Sequence, residues 1–308
     1  MLTLAFAGDV HFAEQLAPLL DQPDRSLAEL RDSVGSADLT VVNLETALTS
    51  RGTPAPKSFH FRSPPAALDA LADAGVDAVT LANNHAVDYG AAGLRDTLRA
   101  RRASPLPVVG IGEDEDDAFS AALLEAEGTR VAVLGATQVP EWTAANAAAG
   151  PDSAGVAVAL DPARLARAVQ AARRRADVVV VYLHWGTDYT SCPDASQRAT
   201  ARLLAGAGAD VVVGTHAHQL QGAGWLGRTY VSYGLGNFVW WRRNDPLQAA
   251  TGVLTLTLEG RDVVQERWEP LTIEADGLPR PPGRQQARVQ LADRERVRQC
   301  SGLAAAPP

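Results

Sequence analysis

Leu2-Thr3-Leu4-Ala5-Phe6-Ala7-Gly8-Asp9-Val10-His11 decides how the rest of the chain is read. Six mostly apolar residues predict a buried strand, a glycine ends it, and a carboxylate and an imidazole follow at i and i+2. At that spacing both side chains point to one side of the strand end. Ligands of open α/β sheets gather at the carboxyl ends of the strands, so Asp9 and His11 stand where a metal site would be built. An isolated Asp-x-His also describes a surface carboxylate beside a capping histidine, so the other histidines must decide.

The same ending recurs along the chain. Asp38 to Val42 predicts a second strand that ends in Asn43-Leu44-Glu45, and Val76 to Ala82 a third that ends in Asn83-Asn84-His85. Val178 to Leu183 is the most apolar strand and runs into His184-Trp185-Gly186; Asp210 to Gly214 leads into Thr215-His216-Ala217-His218. Helices are expected between them, from Pro64-Pro65 to about Ala74, Gly90 to Arg102, Asp161-Pro162 to Arg175 and across 194–207. This β-α order implies right-handed crossovers and a largely parallel sheet in the first half. Five of the six histidines (His11, His85, His184, His216 and His218) thus follow strands directly, and only His60 does not. With Asp9, Glu45 and Asn84 they form a mixed nitrogen and oxygen donor set without thiolate, suited to Mn, Fe or Zn. More than four candidate ligands argue for two divalent metal ions sharing a carboxylate.

Composition bounds the partners. The 308 residues allow one large α/β domain or two smaller ones. A net charge of -8, from 36 acidic against 28 basic residues, argues against a nucleic-acid partner or an anionic membrane surface, so any anionic ligand must be held locally. Cys192 and Cys300 lie far apart with no C-x-x-C spacing, which suggests neither a disulfide framework nor a zinc ribbon and favours a reducing compartment. No apolar run approaches the roughly 18–20 residues that span a bilayer, and no basic leader precedes the first strand. The expectation is a cytoplasmic chain without a membrane anchor.

The remaining stretches read as follows. Residues 13–34 predict two short amphipathic helices around Asp21-Gln22-Pro23-Asp24, with Ser26 and Glu29 as a capping box. Val108 to Gly112 is a short strand, and the acidic cluster at 113–117 a solvated turn and helix start. Segments 121–126 and 130–136 predict a hairpin that enters a second sheet. Residues 138–155, with Trp142, read as a long functional loop. After the histidines the pattern is β, near 220–226, 228–233, 237–241, 250–258 and 262–273. From about 277 a Pro-Gly-Arg-Gln run suggests a linker and a loosely docked tail, giving a domain over 1–275 and a tail over 276–308.

The ordered set D-x-H, N-L-E, N-N-H, H-W-G, G-T-H-A-H and Y-G-L-G-N-F resembles the CapA group of the calcineurin-like metallophosphoesterase superfamily, associated with capsule and poly-γ-glutamate biosynthesis, from residue 4 to about 240. The resemblance implies an α/β fold of the four-layer αββα sandwich type. It implies Asp9, His11 and His218 on one metal, Asn84, His184 and His216 on the other, and Glu45 bridging them where most relatives have aspartate. His85 would lie outside the ligand set, stabilising charge or protonating a leaving group, with Asp88 to orient it. Lys57 with Phe61-Arg62 looks like the group's basic element, and Lys57, Arg62, Trp185, Asn237 and Trp240 are the candidate substrate contacts. Exported members of the group carry an N-terminal leader or anchor, which the reading of residue 2 as a strand start does not lead one to expect here.

Three functions are compatible with this set. The first is a dinuclear metal-dependent hydrolase acting on a phosphoester or on a γ-glutamyl or peptide-like bond through a metal-activated water. Its substrate would be a small molecule, a polyglutamate or a peptide. The second is a peptide epimerase or isomerase that moves an α-carbon proton, and the third a non-catalytic binding protein.

Overall fold

The computed structural model describes residues 1–241 and 245–308. Among them two sheets stack face to face. The larger, eight-stranded sheet runs Pro279–Arg280, Asp262–Ile273, Ala250–Glu259, Leu2–Val10, Leu39–Leu44, Ala78–Thr80 and Val108–Val109, with Asn237–Val239 paired beside the end of Leu2–Val10. The six-stranded sheet runs Ala223–Leu226, Thr229–Ser232, Val211–His216, Val178–Trp185, Thr129–Thr137 and Ala122–Ala126. In the larger sheet the strands from Leu2–Val10 to the edge strand Val108–Val109 are parallel and the antiparallel strands lie on the other side, whereas the smaller sheet is parallel at its centre and antiparallel at both edges.

Side-chain alternation explains the layering. Leu4 and Phe6 point between the sheets, where they meet Val133, Val180, Tyr182 and Val213. Ala5 and Ala7, on the opposite face of the same strand, pack with Leu68, Leu71, Leu94 and Leu98. These come from helices Ala66–Asp73 and Gly90–Ala103. In the second sheet Val179, Val181 and Leu183 face outward onto Leu165, Val169 and Leu204, from helices Ala163–Arg173 and Ala195–Ala207. Three apolar cores therefore separate four layers, the αββα sandwich expected from the sequence. Tyr182 Oη crosses the central core to donate to the carbonyl of Ala7, 2.5 Å away, which ties the sheets together next to Gly8 and Asp9.

The structure departs from local expectations in four places. Residues 13–34 form a 3-10 turn Glu14–Leu20 and helices Pro23–Ser26 and Ala28–Val34, and no side-chain cap forms at Leu27, so the Ser26 and Glu29 box is not made. A capping box does form where none was expected, between Asp194 and Gln197. The expected linker and loose tail after 276 is instead helix Arg284–Gln299, followed by Leu303 buried in the outer core of the second sheet. A disulfide joins Cys192 to Cys300 across 108 residues, which corrects the expectation that their spacing points to no disulfide framework and to a reducing compartment. Sequence distance was a poor guide because the C-terminal segment folds back onto the strand Ala223–Leu226, where Trp225 and Ala304 exchange backbone hydrogen bonds.

Candidate metal centre

The carboxyl ends of the central strands of both sheets converge on one point. Close backbone approach makes this geometry: Asp9 N donates to Gly236 O at 3.0 Å, and a Cβ on Gly8 would lie 2.0 Å from that carbonyl. Gly236 itself has φ +67°, the left-handed region that glycine enters without steric cost. His216 (φ 93°) and His218 (φ 53°) take positive φ without being glycine. Such strain persists where surrounding structure enforces it, commonly at functional sites. At His216 it interrupts the alternation that would send the side chain outward after Val212 and Gly214.

Two donor clusters share Glu45. Asp9, Glu45 and His184 offer atoms within 4.8 Å of one another, and so do Glu45, His216 and His218. Glu45 and Asp9 are both fully buried. Asp9 is held by Asn43 Nδ2 at 2.8 Å and by the N–H of His216 at 3.2 Å, whereas neither oxygen of Glu45 has a hydrogen-bond partner. A buried carboxylate without donors is costly unless a cation sits against it. Burial raises the Glu45 pKa, and burial together with the charge of Glu45 pushes Asp9 up to about 6. Burial lowers the His184 pKa to about 4 and holds His11 and His216 well below the usual histidine range, so these rings are neutral lone-pair donors at neutral pH.

The donor set fits divalent metal. His218 Nδ1 lies 2.8 Å from Asn237 Oδ1, whose amide donates to Gln248 O, an arrangement that leaves Nε2 free to ligate. His184 Nε2 is 2.9 Å from Asn84 Oδ1 and 3.4 Å from Glu45 Oε1. Donors held about 2.1 Å from one ion at right angles are themselves about 3 Å apart, so these separations suit shared coordination. His11 stands outside both clusters. Its Nδ1 accepts from Ala13 N at 3.1 Å and its buried Nε2 has no partner. A neutral ring that accepts at Nδ1 carries its proton on Nε2, so ligation by His11 requires the Ala13 contact to open.

The other expected site residues divide. His85 Nε2 lies 3.7 Å from Glu45 Oε1 and its Nδ1 lies 2.6 Å from Asp88 Oδ2, the orienting pair expected. Lys57 Nζ is spent on protein groups, Asp88 Oδ1 at 2.9 Å and the carbonyl of Asn84 at 2.7 Å. Trp240 lines the cavity above the centre and stands edge-on to His11. Asn237 is fully buried and orients His218. Trp185 is not at the site: alternation puts His184 on the inner face and Trp185 on the outer, where it is fully buried and donates to Tyr233 O at 2.8 Å. Arg62 points into a neighbouring cavity, its guanidinium 4.7 Å over the Tyr89 ring.

Several residues at the site were not singled out from the sequence. Asp188 lies 3.1 Å from His216 Nε2, and Glu141 accepts from Asn84 Nδ2 at 2.9 Å. Asn43 and Asn83 form a buried amide chain from Asp9 to the backbone of His85. Phe61, read from the sequence only as part of the basic element with Lys57 and Arg62, is stacked between the rings of His11 and His85, at 4.3 and 4.1 Å. The asparagines could have been suspected, since they share the strand ends with Glu45 and Asn84; Asp188 and Glu141 come from loops that carry no such signal. A cavity of about 440 Å³ opens over the centre, lined among others by Lys57, Phe61, His85, Glu141, Trp142, Asp188, His216, His218 and Trp240.

Comparison with known proteins agrees with this geometry. The chain is 32% identical over 254 residues to the PGA biosynthesis protein CapA of Bacillus subtilis, and 31% over 258 residues to the capsule biosynthesis protein CapA of Bacillus anthracis. The matches take in 80 and 79% of this chain and 66 and 62% of those relatives. Its fold is similar to that of the sulfate thiohydrolase SoxB of Thermus thermophilus, with a TM-score of 0.50 at 18% identity over 92% of this chain and 46% of that one. A hypothetical protein of Thermus thermophilus gives a TM-score of 0.55 at 20% identity, over 87% of this chain and 98% of that one. The shared architecture is the four-layer αββα sandwich. The model of the bacterial capsule synthesis protein family PGA_cap matches residues 3–240, and the chain belongs to that family.

Proposed function

We propose that the protein is a dinuclear metal-dependent hydrolase of the CapA type, acting on an amide bond in a γ-glutamyl or peptide-like substrate or on a phosphoester. The observation that carries this reading is Glu45, buried, with both oxygens lacking hydrogen-bond donors, at the junction of the two donor clusters. Asp9, Glu45 and His184 would hold one ion, with Asn84 beside them, and Glu45, His216 and His218 the other. Bound Mn, Fe or Zn would supply Lewis acidity and a lowered water pKa.

The chain's own groups supply the rest. Lys57 pairs with Asp88, Asp88 fixes the His85 ring through Nδ1, and His85 Nε2 is thereby aimed at the centre as the group that protonates the leaving atom. Phe61, stacked on both His11 and His85, shields them from water and fixes their planes. Trp142 and Trp240 give the cavity apolar walls that suit a peptide-like chain. Among the described residues no helix is long and apolar enough to cross a membrane. The Cys192–Cys300 disulfide favours an oxidising compartment over the cytoplasm.

The test is turnover by purified, Mn-reconstituted protein on γ-glutamyl oligopeptides and on a panel of phosphoesters, with Asp9→Ala and His216→Ala as controls. Hydrolysis of one class, lost by at least about 100-fold in both variants, is expected. No cleavage of either class by protein with metal demonstrably bound would remove the hydrolase reading.

A further inference from the structure

His216 and His218 stand two residues apart, yet their rings are held in opposite senses. At His218 the contact with Asn237 engages Nδ1. At His216 the engaged atom is Nε2, 3.1 Å from Asp188 Oδ1, while Nδ1 is buried and has no hydrogen-bond partner among the described residues. A carboxylate oxygen only accepts, so this contact draws a ring proton to Nε2 and leaves the lone pair of the neutral ring on Nδ1. A buried lone pair facing no donor is costly, and a cation placed against it removes that cost.

Asp188 is held where it can do this. It lies between strand Val178–Trp185 and helix Ala195–Ala207, in a loop fastened to the histidine segment itself. Tyr189 N–H donates to Ala217 O at 2.8 Å, between the two histidines, Ser191 Oγ donates to Gln219 Oε1 at 2.8 Å, and Gln221 Nε2 donates to Thr190 O at 2.9 Å. Tyr189 takes φ 59°, a conformation that a residue other than glycine keeps only where neighbouring contacts enforce it. We propose that Asp188 is a positioning residue for the ion of the Glu45, His216 and His218 cluster: it touches no ion, fixes the His216 proton on Nε2 and turns Nδ1 inward as the ligating atom. The proposal rests on the dinuclear reading of the centre and not on the reaction carried out there. It makes one ion depend on a loop of the cavity wall, where the Asp188 side chain is 45% exposed, while the donors Asp9, Glu45 and His184 of the other ion come from strand ends. One ion is thereby selectively sensitive to Asp188.

The test reads the ring and the ion separately. Wild type, Asp188→Asn and Asp188→Ala, each checked for native circular dichroism, are labelled with heavy nitrogen in histidine and examined by NMR, metal-free and loaded with Zn. The His216 signals are assigned by their absence from His216→Gln, and Zn affinity is measured by competition with a chromophoric chelator. In wild type His216 is expected to carry its proton on Nε2 in both states, with Nδ1 shifted by Zn. Asp188→Ala is expected to weaken one of the two ions by about 10- to 100-fold and leave the other in place. Asp188→Asn, whose amide oxygen still accepts from Nε2, is expected to keep part of that affinity. A wild-type proton on Nδ1, Zn bound at Nε2, or Zn affinities unchanged in Asp188→Ala would overturn the assignment. Neither readout requires turnover, so a protein that shows both effects yet cleaves nothing would retain this role for Asp188 and lose only the hydrolase reading.

Discussion

Lys57 and Asp88 form a buried ion pair at 2.9 Å beside the metal centre, with the Lys57 side chain 10% exposed and Asp88 fully buried. Asp88 also accepts from the backbone N–H of Phe61 at 2.7 Å and holds His85. One carboxylate thus fixes a lysine, a loop strand and a histidine together. Removing Lys57 leaves a buried anion uncompensated. Lys57→Met is therefore expected to destabilise the fold by about 3 kcal/mol, and the double variant with Asp88→Asn by less than the sum of the single ones. Urea denaturation of the four proteins checks this; strict additivity would mean the pair is not coupled.

The metal-free centre should bind ions in competition with protons. Burial, with Glu45 close by, places Asp9 at about 6 against an ordinary value of 3.8. Between those values the folded chain holds a proton that the unfolded chain has lost. This group's contribution to the stability of the metal-free protein therefore falls as pH rises through that window. An incoming ion must displace the same proton, so affinity for Mn is expected to climb as pH rises through about 6, Glu45, also raised by burial, adding to the climb while His184 and His216 stay neutral. Calorimetric titrations at pH values spanning about 5 to 8 measure it, and a flat profile would contradict the assignment of Asp9.

Gly8 is where the strand touches the Gly236 turn. A methyl group there would lie 2.0 Å from a backbone carbonyl that cannot swing aside. Gly8→Ala is expected to cost about 2 kcal/mol or more and to weaken metal binding, since Asp9 follows directly. The thermal midpoint and metal affinity of the variant check both effects together; unchanged values would show that the turn can yield.

The Cys192–Cys300 link closes a long loop and anchors the segment after Asp188 to the C-terminal helix. Replacing both cysteines by serine is expected to lower stability by about 2–4 kcal/mol through the greater freedom of the unfolded chain. Denaturation of the variant beside wild type, without reductant, measures the difference; equal midpoints would mean the docked helix holds without the bond.

Much of this was legible in the residues because it depends on period two. Apolar runs ending in Asp9, Glu45, Asn84, His184 and His216 marked strands, and strand ends meet in a sheet of this kind. The same period could have excluded Trp185, which must face away from the cavity when His184 faces it. What alternation cannot carry was missed: the positive φ at His216, the loop carboxylates Glu141 and Asp188, and the return of Cys300 to Cys192, all fixed by tertiary packing. Lys57 and Arg62 read as one basic element, yet packing gives the first to Asp88 and the second to a separate cavity.

Metal stoichiometry tests the central claim most directly. Wild type and Glu45→Gln, reconstituted with Mn and dialysed together, are to be compared by elemental analysis. Two ions per chain in wild type and less than one in the variant are expected. No retained ion in wild type, or equal content in the two proteins, would contradict a centre built on Glu45.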